Sequence, residues 1–435
     1  MGNNTEKLRI SQCMIVKDEE DNIKKALSWG KELMWEQIVV DTGSSDRTAE
    51  LARAMGAKVF HFDWIDDFAA AKNYAIGQAA GDWIAFLDAD EYMEPEAVKK
   101  VPHLLKEAQR LGYAFICSPC LQLGDSGEVD QASTQYRFFK NTPKIRYEQP
   151  IHEYLTYDGG GVENYTLETT ELPIFHTGYL SAVMEKKKKS ERNIRILLKE
   201  LEKNPQNKDI MGYLGDAFKS ENGSEGDAEA EKWYRKALPL IWKSGGKNQR
   251  DIYTVIKLML ILYHRGAEEE LMELYRQAAA YFTDVFDLDY LAGRFYTDHR
   301  NYRKGAFYLE RAFAGMEKYG TASFNPMMTA SVCDALNALA VCYYGNGEPE
   351  KCVNACVTMV KTDKTQIDGL GLLIRCFKEE NPETVVNFLR KLYNADSIGD
   401  RLLLLRGAVS AGEDGFGVLN VLRRYCTPEE LAVLG

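Results

Sequence analysis

The chain changes period near residue 180, and this limits what it can fold into more than any other feature. Before that point, short apolar runs alternate with stretches whose apolar positions return every three or four residues. Ile10-Ser11-Gln12-Cys13-Met14-Ile15-Val16 reads as a strand, and residues 22–29 carry a helical pattern. A second strand, 37–40, ends at Asp41 and opens into Thr42-Gly43-Ser44-Ser45-Asp46. That turn leads to a helix over 48–55, with Asp46 or Thr48 placed to accept its free N–H groups. Gly56 stops this helix, 58–62 is a third strand, and a helix over 69–80 stops at Gly81 before the fourth strand, 83–87. Strands alternating with single helices require right-handed crossovers and a largely parallel sheet covered on both faces. Strand-rich segments at 113–123, 135–140 and 165–176 then add mixed sheet beside it.

After Glu185 nearly everything is helical in period, and similar blocks recur. Tyr213-Leu214-Gly215-Asp216-Ala217-Phe218 is followed by Trp233-Tyr234-Arg235-Lys236-Ala237-Leu238. Tyr290-Leu291-Ala292-Gly293-Arg294-Phe295 is followed by Phe307-Tyr308-Leu309-Glu310-Arg311-Ala312, and weaker copies cover 258–280, 338–357 and 372–392. Small residues where two helices cross, with an aromatic after them, are features of tetratricopeptide helix pairs, here at irregular spacings of roughly 32 to 48 residues. The expected organisation is an α/β domain over 1–183 and an all-α, tetratricopeptide-like solenoid over 184–435.

A chain of 435 residues is comfortable for two or three domains. Its net charge of −11 argues against a nucleic-acid binder, which would show a basic surplus. Nine cysteines are scattered without paired metal-ligand spacing. Cys117 and Cys120 have the CxxC interval, but they lie in an apolar run with no second pair, so buried free thiols in a reducing compartment are expected. No apolar run approaches the ~20 residues of a membrane span. The start, Met1-Gly2-Asn3-Asn4-Thr5-Glu6, lacks the features of a signal peptide. These observations point to a soluble, cytoplasmic protein.

The residues that carry chemistry begin with Phe86-Leu87-Asp88-Ala89-Asp90-Glu91. A buried strand ending in acids delivers them to the carboxyl edge of the sheet, where ligands bind in open α/β folds. Asp88 and Asp90 can reach one hard cation, Mg²⁺ or Mn²⁺, which bridges two phosphates and offsets charge on a leaving diphosphate. Since 65 residues are acidic, such a pair by itself arises easily by chance, and its position is what matters. Asp41 ends the second strand at the same edge, where its carboxylate can accept from a pyrimidine N–H or ribose hydroxyls; the alternative is a turn-forming Asx residue. Asp67-Phe68-Ala69-Ala70-Ala71-Lys72-Asn73 puts Lys72 on a first helical turn, able to hold a phosphate or to form part of a solvated face. The P-loop, the GxGxxG after the first strand, the GxSxG elbow and HExxH are all missing.

Four segments in order, Cys13-Met14-Ile15-Val16-Lys17-Asp18-Glu19-Glu20, residues 40–48, residues 67–73 and residues 87–91, together resemble family 2 glycosyltransferases of the GT-A fold. The resemblance covers roughly the first 180 residues. It implies a nucleoside-diphosphate sugar donor, with UDP as the expected nucleotide, bound by Val16, Glu19, Asp41, Lys72, Asp88 and Ala89. Glu19 serves equally well as a helix-start residue. Family members often carry Arg-Asn where this chain has Lys72-Asn73, which keeps the charge but not a bidentate grip on phosphate. Arg137-Phe138-Phe139-Lys140 leading to Ile151-His152-Glu153 also matches the family. Direct displacement needs a base for the acceptor proton, with Glu153 the first choice and His152 the second; a structural His–Glu pair is the alternative. Ile174-Phe175-His176-Thr177-Gly178-Tyr179 resembles the family's last motif, placing His176 beside Asp88 and Asp90 as a metal ligand or against the diphosphate. Lys186-Lys187-Lys188-Lys189 marks the junction with the helical part, as a solvated face or a positive lip for phosphates. The domain order is similar to that of bacterial family 2 transferases with helical tails, including peptide S-glycosyltransferases of the sublancin type. It implies an inverting transfer to a peptide Cys or Ser/Thr, or to a cell-envelope saccharide. The helical tail would offer a groove for the acceptor or a surface for a homodimer.

Overall fold

Strand β1 (Ile10–Val16) is buried along almost its whole length, because alternate side chains enter different cores. Cys13 packs with Ile38, Val40, Ile84 and Phe86 under helix α3 (Phe68–Gly77). Met14 and Val16 point the other way, against α1 (Ile23–Ser28) and α2 (Thr48–Ala54). The same alternation divides β2 (Glu36–Asp41) and β4 (Trp83–Phe86) between the two faces. The structure is a computed structural model and describes residues 8–124, 127–177, 183–220, 223–245, 248–320, 325–394 and 396–427.

With β3 (Lys58–His61), the first strands form the parallel order β3-β2-β1-β4. Then follow β5 (Glu91–Tyr92), α4 (Pro95–Val98), α5 (Val101–Leu111), β6 (Phe115–Leu123) and β7 (Val129–Lys140). The domain continues through β8 (Ile145–Glu148), β9 (Tyr154–Tyr157), β10 (Thr166–Glu168), β11 (Ile174–His176) and α6 (Val183–Lys203). The later strands extend the same sheet: β7 lies antiparallel beside β4, and the order runs on through β6, β11 and β5, with β10 on β6. Among the described residues, only β8 and β9 pair separately, as an antiparallel hairpin. The sheet is thus mixed and continuous, a GT-A-like arrangement.

The chain divides into two compact units, Met1–Pro205 with Ser220–Asn222, and Gln206–Lys219 with Gly223–Gly435. Helix α6 therefore goes with the first unit. Asp66, in the left-handed region at φ 61°, accepts from Arg195 at 2.7 Å and Lys199 at 2.5 Å, and Arg192 lies over the Phe68 ring. Those two cations, Arg195 first, hold the Asp66 carboxyl well below its ordinary range. The side chains of Lys186–Lys189, and Gly178 and Tyr179 altogether, lie outside the described residues.

In the second unit every regular element described is helical, beginning with α7 (Lys208–Lys219), α8 (Ser224–Ser244), α9 (Gln249–Arg265), α10 (Glu268–Tyr281), α11 (Asp287–Asp298) and α12 (Tyr302–Tyr319). The small residues seen in the sequence lie where helices touch. A Cβ on Gly215 would stand 2.2 Å from the Tyr234 ring, and one on Gly293 2.6 Å from Leu309. All nine cysteines are free, Cys117 and Cys120 among the buried ones. Among the described residues no helix is long and apolar enough to cross a membrane.

Candidate active site

Parallel pairing aligns the ends of β1, β2 and β4. Val16 lies level with Asp41, and Cys13 with Phe86, so Asp41 and Asp88 leave the same sheet edge two strands apart, roughly 10 Å. The loops at this edge hold one another. Asp18, at φ 54°, accepts from Ser45 N at 2.6 Å and its own N–H donates to Ser44 Oγ, while Glu19 N–H donates to Thr48 Oγ1 at 2.7 Å. Asp46 accepts from Thr48 N–H at 2.9 Å, as the start of α2 led one to expect. The Asp41 carboxylate accepts from Gly43 and Ser44 N–H groups, which is the Asx turn weighed as the alternative to ligand binding. Glu19 accepts from the Asn22 side chain at the start of α1.

Asp88 faces a network of charges. Arg137 donates to Asp88 Oδ2 at 2.8 Å and also to Glu91, while the Asp88 N–H donates to Glu91 Oε2 at 3.0 Å. On its other side, Lys72 Nζ stands 3.6 Å from Asp88 Oδ1 and 2.7 Å from Glu153 Oε1. Lys72 is 6% exposed, so the solvated helix face is excluded for it. Burial alone would lower the Lys72 pKa, but Asp88 and Glu153 together overcome this and raise it. Burial likewise works against the Asp88 carboxylate, and Lys72, Arg137 and His176 hold its pKa below the ordinary value all the same. Glu91, 2% exposed, is pushed up by burial and by Asp88, against the pull of Arg137.

Helix α3 organises the far wall. Its N-cap Asp67 accepts from Ala70 N–H at 2.8 Å, its first N–H, from Phe68, donates to Pro150 C=O, and Asn73 makes two hydrogen bonds to the backbone of Tyr147, at 2.8 and 2.9 Å. Those contacts clamp β8 and the loop carrying His152 and Glu153 against the helix that carries Lys72. Gln149 and His152 in that loop take positive φ, 71° and 54°. Tyr147 packs edge-on against Phe86 and Phe139 and lies 5.1 Å from Lys72 Nζ; burial pushes its phenol up to about 12.

Asp90 turns to a different partner. Its carboxylate meets His176 Nε2 at 3.2 Å, and its carbonyl accepts from both Thr177 N–H and Thr177 Oγ. The hydrogen bond to Asp90 raises the His176 pKa despite partial burial. Among the described residues, no three or more of His, Cys, Asp and Glu are grouped as a metal site. Asp90 and His176 thus pair with each other, whereas Asp88 is engaged by two cations, Lys72 and Arg137. The Asp90–His176 pair supplies an oxygen and a nitrogen donor, a set that suits Mg²⁺ or Mn²⁺ when phosphate and water oxygens complete the shell.

Lys72, Asp88, Arg137, Tyr147, His152 and Glu153 line one cavity of about 760 Å³, together with Gly159, Gly160 and Gly161. Val16, Glu19, Asp41, Ala89, Asp90 and His176 are not in its wall; Val16 and Ala89 are buried in the core beneath α1 and α2. Arg137 and Glu91 are site residues to which the sequence assigned no role. The signal for Arg137 was its place in Arg137-Phe138-Phe139-Lys140. Its aim comes from a register shift between Ile116 and Ser118, which sets two residues of β7, Tyr136 and Arg137, against one of β6.

Residues 11–161 match the family model described as glycosyl transferase family 2. A TPR repeat-containing protein of Synechococcus elongatus is 33% identical over 236 residues, 53% of this chain and 56% of that protein. Glycosyltransferase SunS of Bacillus phage SPbeta is 26% identical over 205 residues, 46% of this chain and 47% of its own. The match thus spans about half the length of each relative. Glucosyl-3-phosphoglycerate synthase from Mycobacterium tuberculosis, solved with Mn²⁺ and UDP-glucose, is 25% identical over 27% of this chain and 45% of its own, with a TM-score of 0.23.

Proposed function

We propose that this chain, whose residues 11–161 match the family 2 glycosyltransferase model, transfers a sugar from UDP-sugar to a side chain of a polypeptide acceptor, Cys or Ser/Thr, with inversion. The observation that carries the reading is Lys72, buried and shared between Asp88 and Glu153 at the mouth of the parallel strands. It joins the acidic end of β4, where a diphosphate belongs, to the carboxylate that faces the acceptor side of the cavity.

In this reading Asp90 and His176 hold a divalent cation, which would neutralise charge on the departing diphosphate. Lys72 and Arg137 add fixed positive charge beside Asp88. The acceptor hydroxyl or thiol attacks the anomeric carbon, Glu153 takes its proton, and the bond from that carbon to the diphosphate oxygen breaks with its electron pair on oxygen. Glu153 is held for this by α3, through the pinned loop and Lys72. His152, one residue earlier and exposed, is the second choice as base. A peptide acceptor is supported by the likeness to SunS and by the resemblance of the domain order to that of bacterial peptide S-glycosyltransferases.

The test is UDP release from a panel of UDP-sugars, with Mn²⁺ or with chelator. We expect release that needs the cation and falls at least about 100-fold in Asp90→Ala. Equal rates for wild type and Asp90→Ala would remove the metal assignment, and no release from any UDP-sugar would remove the reading.

A further inference from the structure

Strand β7 is longer than its neighbour. β4 covers it only at Phe138, Phe139 and Lys140, so among the described residues 129–137 meet β6 on one side and no strand on the other. One residue of β6 reveals which way the backbone groups point. Pro119 stands opposite Thr134, and opposite residues in an antiparallel ladder exchange two N–H···O bonds or none. Pro119 has no N–H to give, so Thr134 turns its N–H and C=O away from β6, and Ala132, two residues back, does the same.

The run Gln131-Ala132-Ser133-Thr134-Gln135 contains no charge and no proline, the usual devices that keep an exposed edge from pairing. It leads straight into the site, since Thr134, Gln135, Tyr136 and Arg137 line the same cavity as Glu153. Exposed carboxylates mark both ends: Glu128 and Asp130 beside the hairpin tip, and Glu163 in the cavity wall. Gly159, Gly160 and Gly161, which carry no side chains, also line this cavity.

We propose that this free edge of β7 is the docking strand for the acceptor: an extended stretch of polypeptide, with Lys or Arg flanking the modified residue, pairs with the backbone of Ala132 and Thr134 and runs on toward Glu153. The inference rests on the polypeptide-acceptor reading above and adds how that polypeptide is held. Main-chain hydrogen bonds supply the affinity, so the edge accepts varied side chains, while Glu128, Asp130 and Glu163 select for basic flanks.

The test uses the full chain with the UDP-sugar that gives the fastest UDP release, and short synthetic peptides with a central Cys or Ser between lysines. Single backbone N-methyl groups are moved along the peptide and KM is measured for each. Pairing to an edge predicts alternation: N-methylation raises KM at least about tenfold at every second amide and little at those between. Ala132→Pro raises the KM of the unmethylated peptide similarly. Glycosylated peptides whose KM shows no alternation would overturn the docking and leave the polypeptide acceptor standing. Transfer to saccharides but to none of the peptides would overturn both.

Discussion

Arg137 sits with 11% of its side chain exposed between two carboxylates, one of them, Glu91, almost wholly buried. Removing a partner from such a group costs more than the pair contributes, because the remaining charges are left without compensation. We expect Arg137→Met to destabilise the first unit by about 3–5 kcal/mol in urea, with part recovered by adding Glu91→Gln. A loss below about 1 kcal/mol would show that Glu91 takes up a proton and needs no partner. His176 gives a prediction in pH. Its pKa is raised in the folded chain by Asp90, so the stabilisation is complete below the unfolded value of about 6.5 and disappears as pH rises through the folded value. With chelator present, the Tm gap between wild type and His176→Gln should be widest in acid and close toward alkaline pH. A gap constant with pH would mean that Asp90 does not favour the imidazolium.

At the level of elements, the site depends on one helix holding one hairpin. Asn73 makes both of its hydrogen bonds to the Tyr147 backbone, next in sequence to the Lys72 that pairs with Glu153. Asn73→Ala leaves a partly buried N–H and C=O without partners, at a cost of about 1–3 kcal/mol. It should also lower kcat, because Lys72 and Glu153 lose their common frame. A variant with reduced stability and unchanged kcat would show that the frame does not matter to the chemistry. The register shift in β7 works in the same way. It belongs to a pairing of strands, and Arg137 reaches Asp88 only because of it.

Across the whole molecule, each unit has at least one core of its own among the described residues. Residues from Phe286 to Leu422 form one cluster, and the sheet's clusters draw on the first unit alone. Calorimetry should therefore show two transitions. Gly215→Val, which drives a side chain into the Tyr234 ring, should lower one of them and leave the other in place. If both move together, the units unfold as one.

Much of this was legible in sequence because it depends on near neighbours. The four parallel strands, the helix bearing Lys72 and the helix pairs around Gly215 and Gly293 follow from periods of two and 3.6 residues and from caps and stops, all local. Residue type and position in the elements likewise singled out Asp88, Asp90 and Lys72, and the family resemblance added Glu153 and His176. The rest was decided at a distance. Arg137 meets Asp88 and Glu91 across 49 and 46 positions, and Asn73 meets Tyr147 across 74. Apolar spacing alone does not distinguish Arg137 from a solvated strand residue, or the Asp41 of an Asx turn from one awaiting a ligand. The sequence by itself determined which segments become strands and helices, since short-range sterics and apolar spacing suffice. Only the tertiary structure decided which charges share a buried volume, because that depends on how strands pair and shift in register.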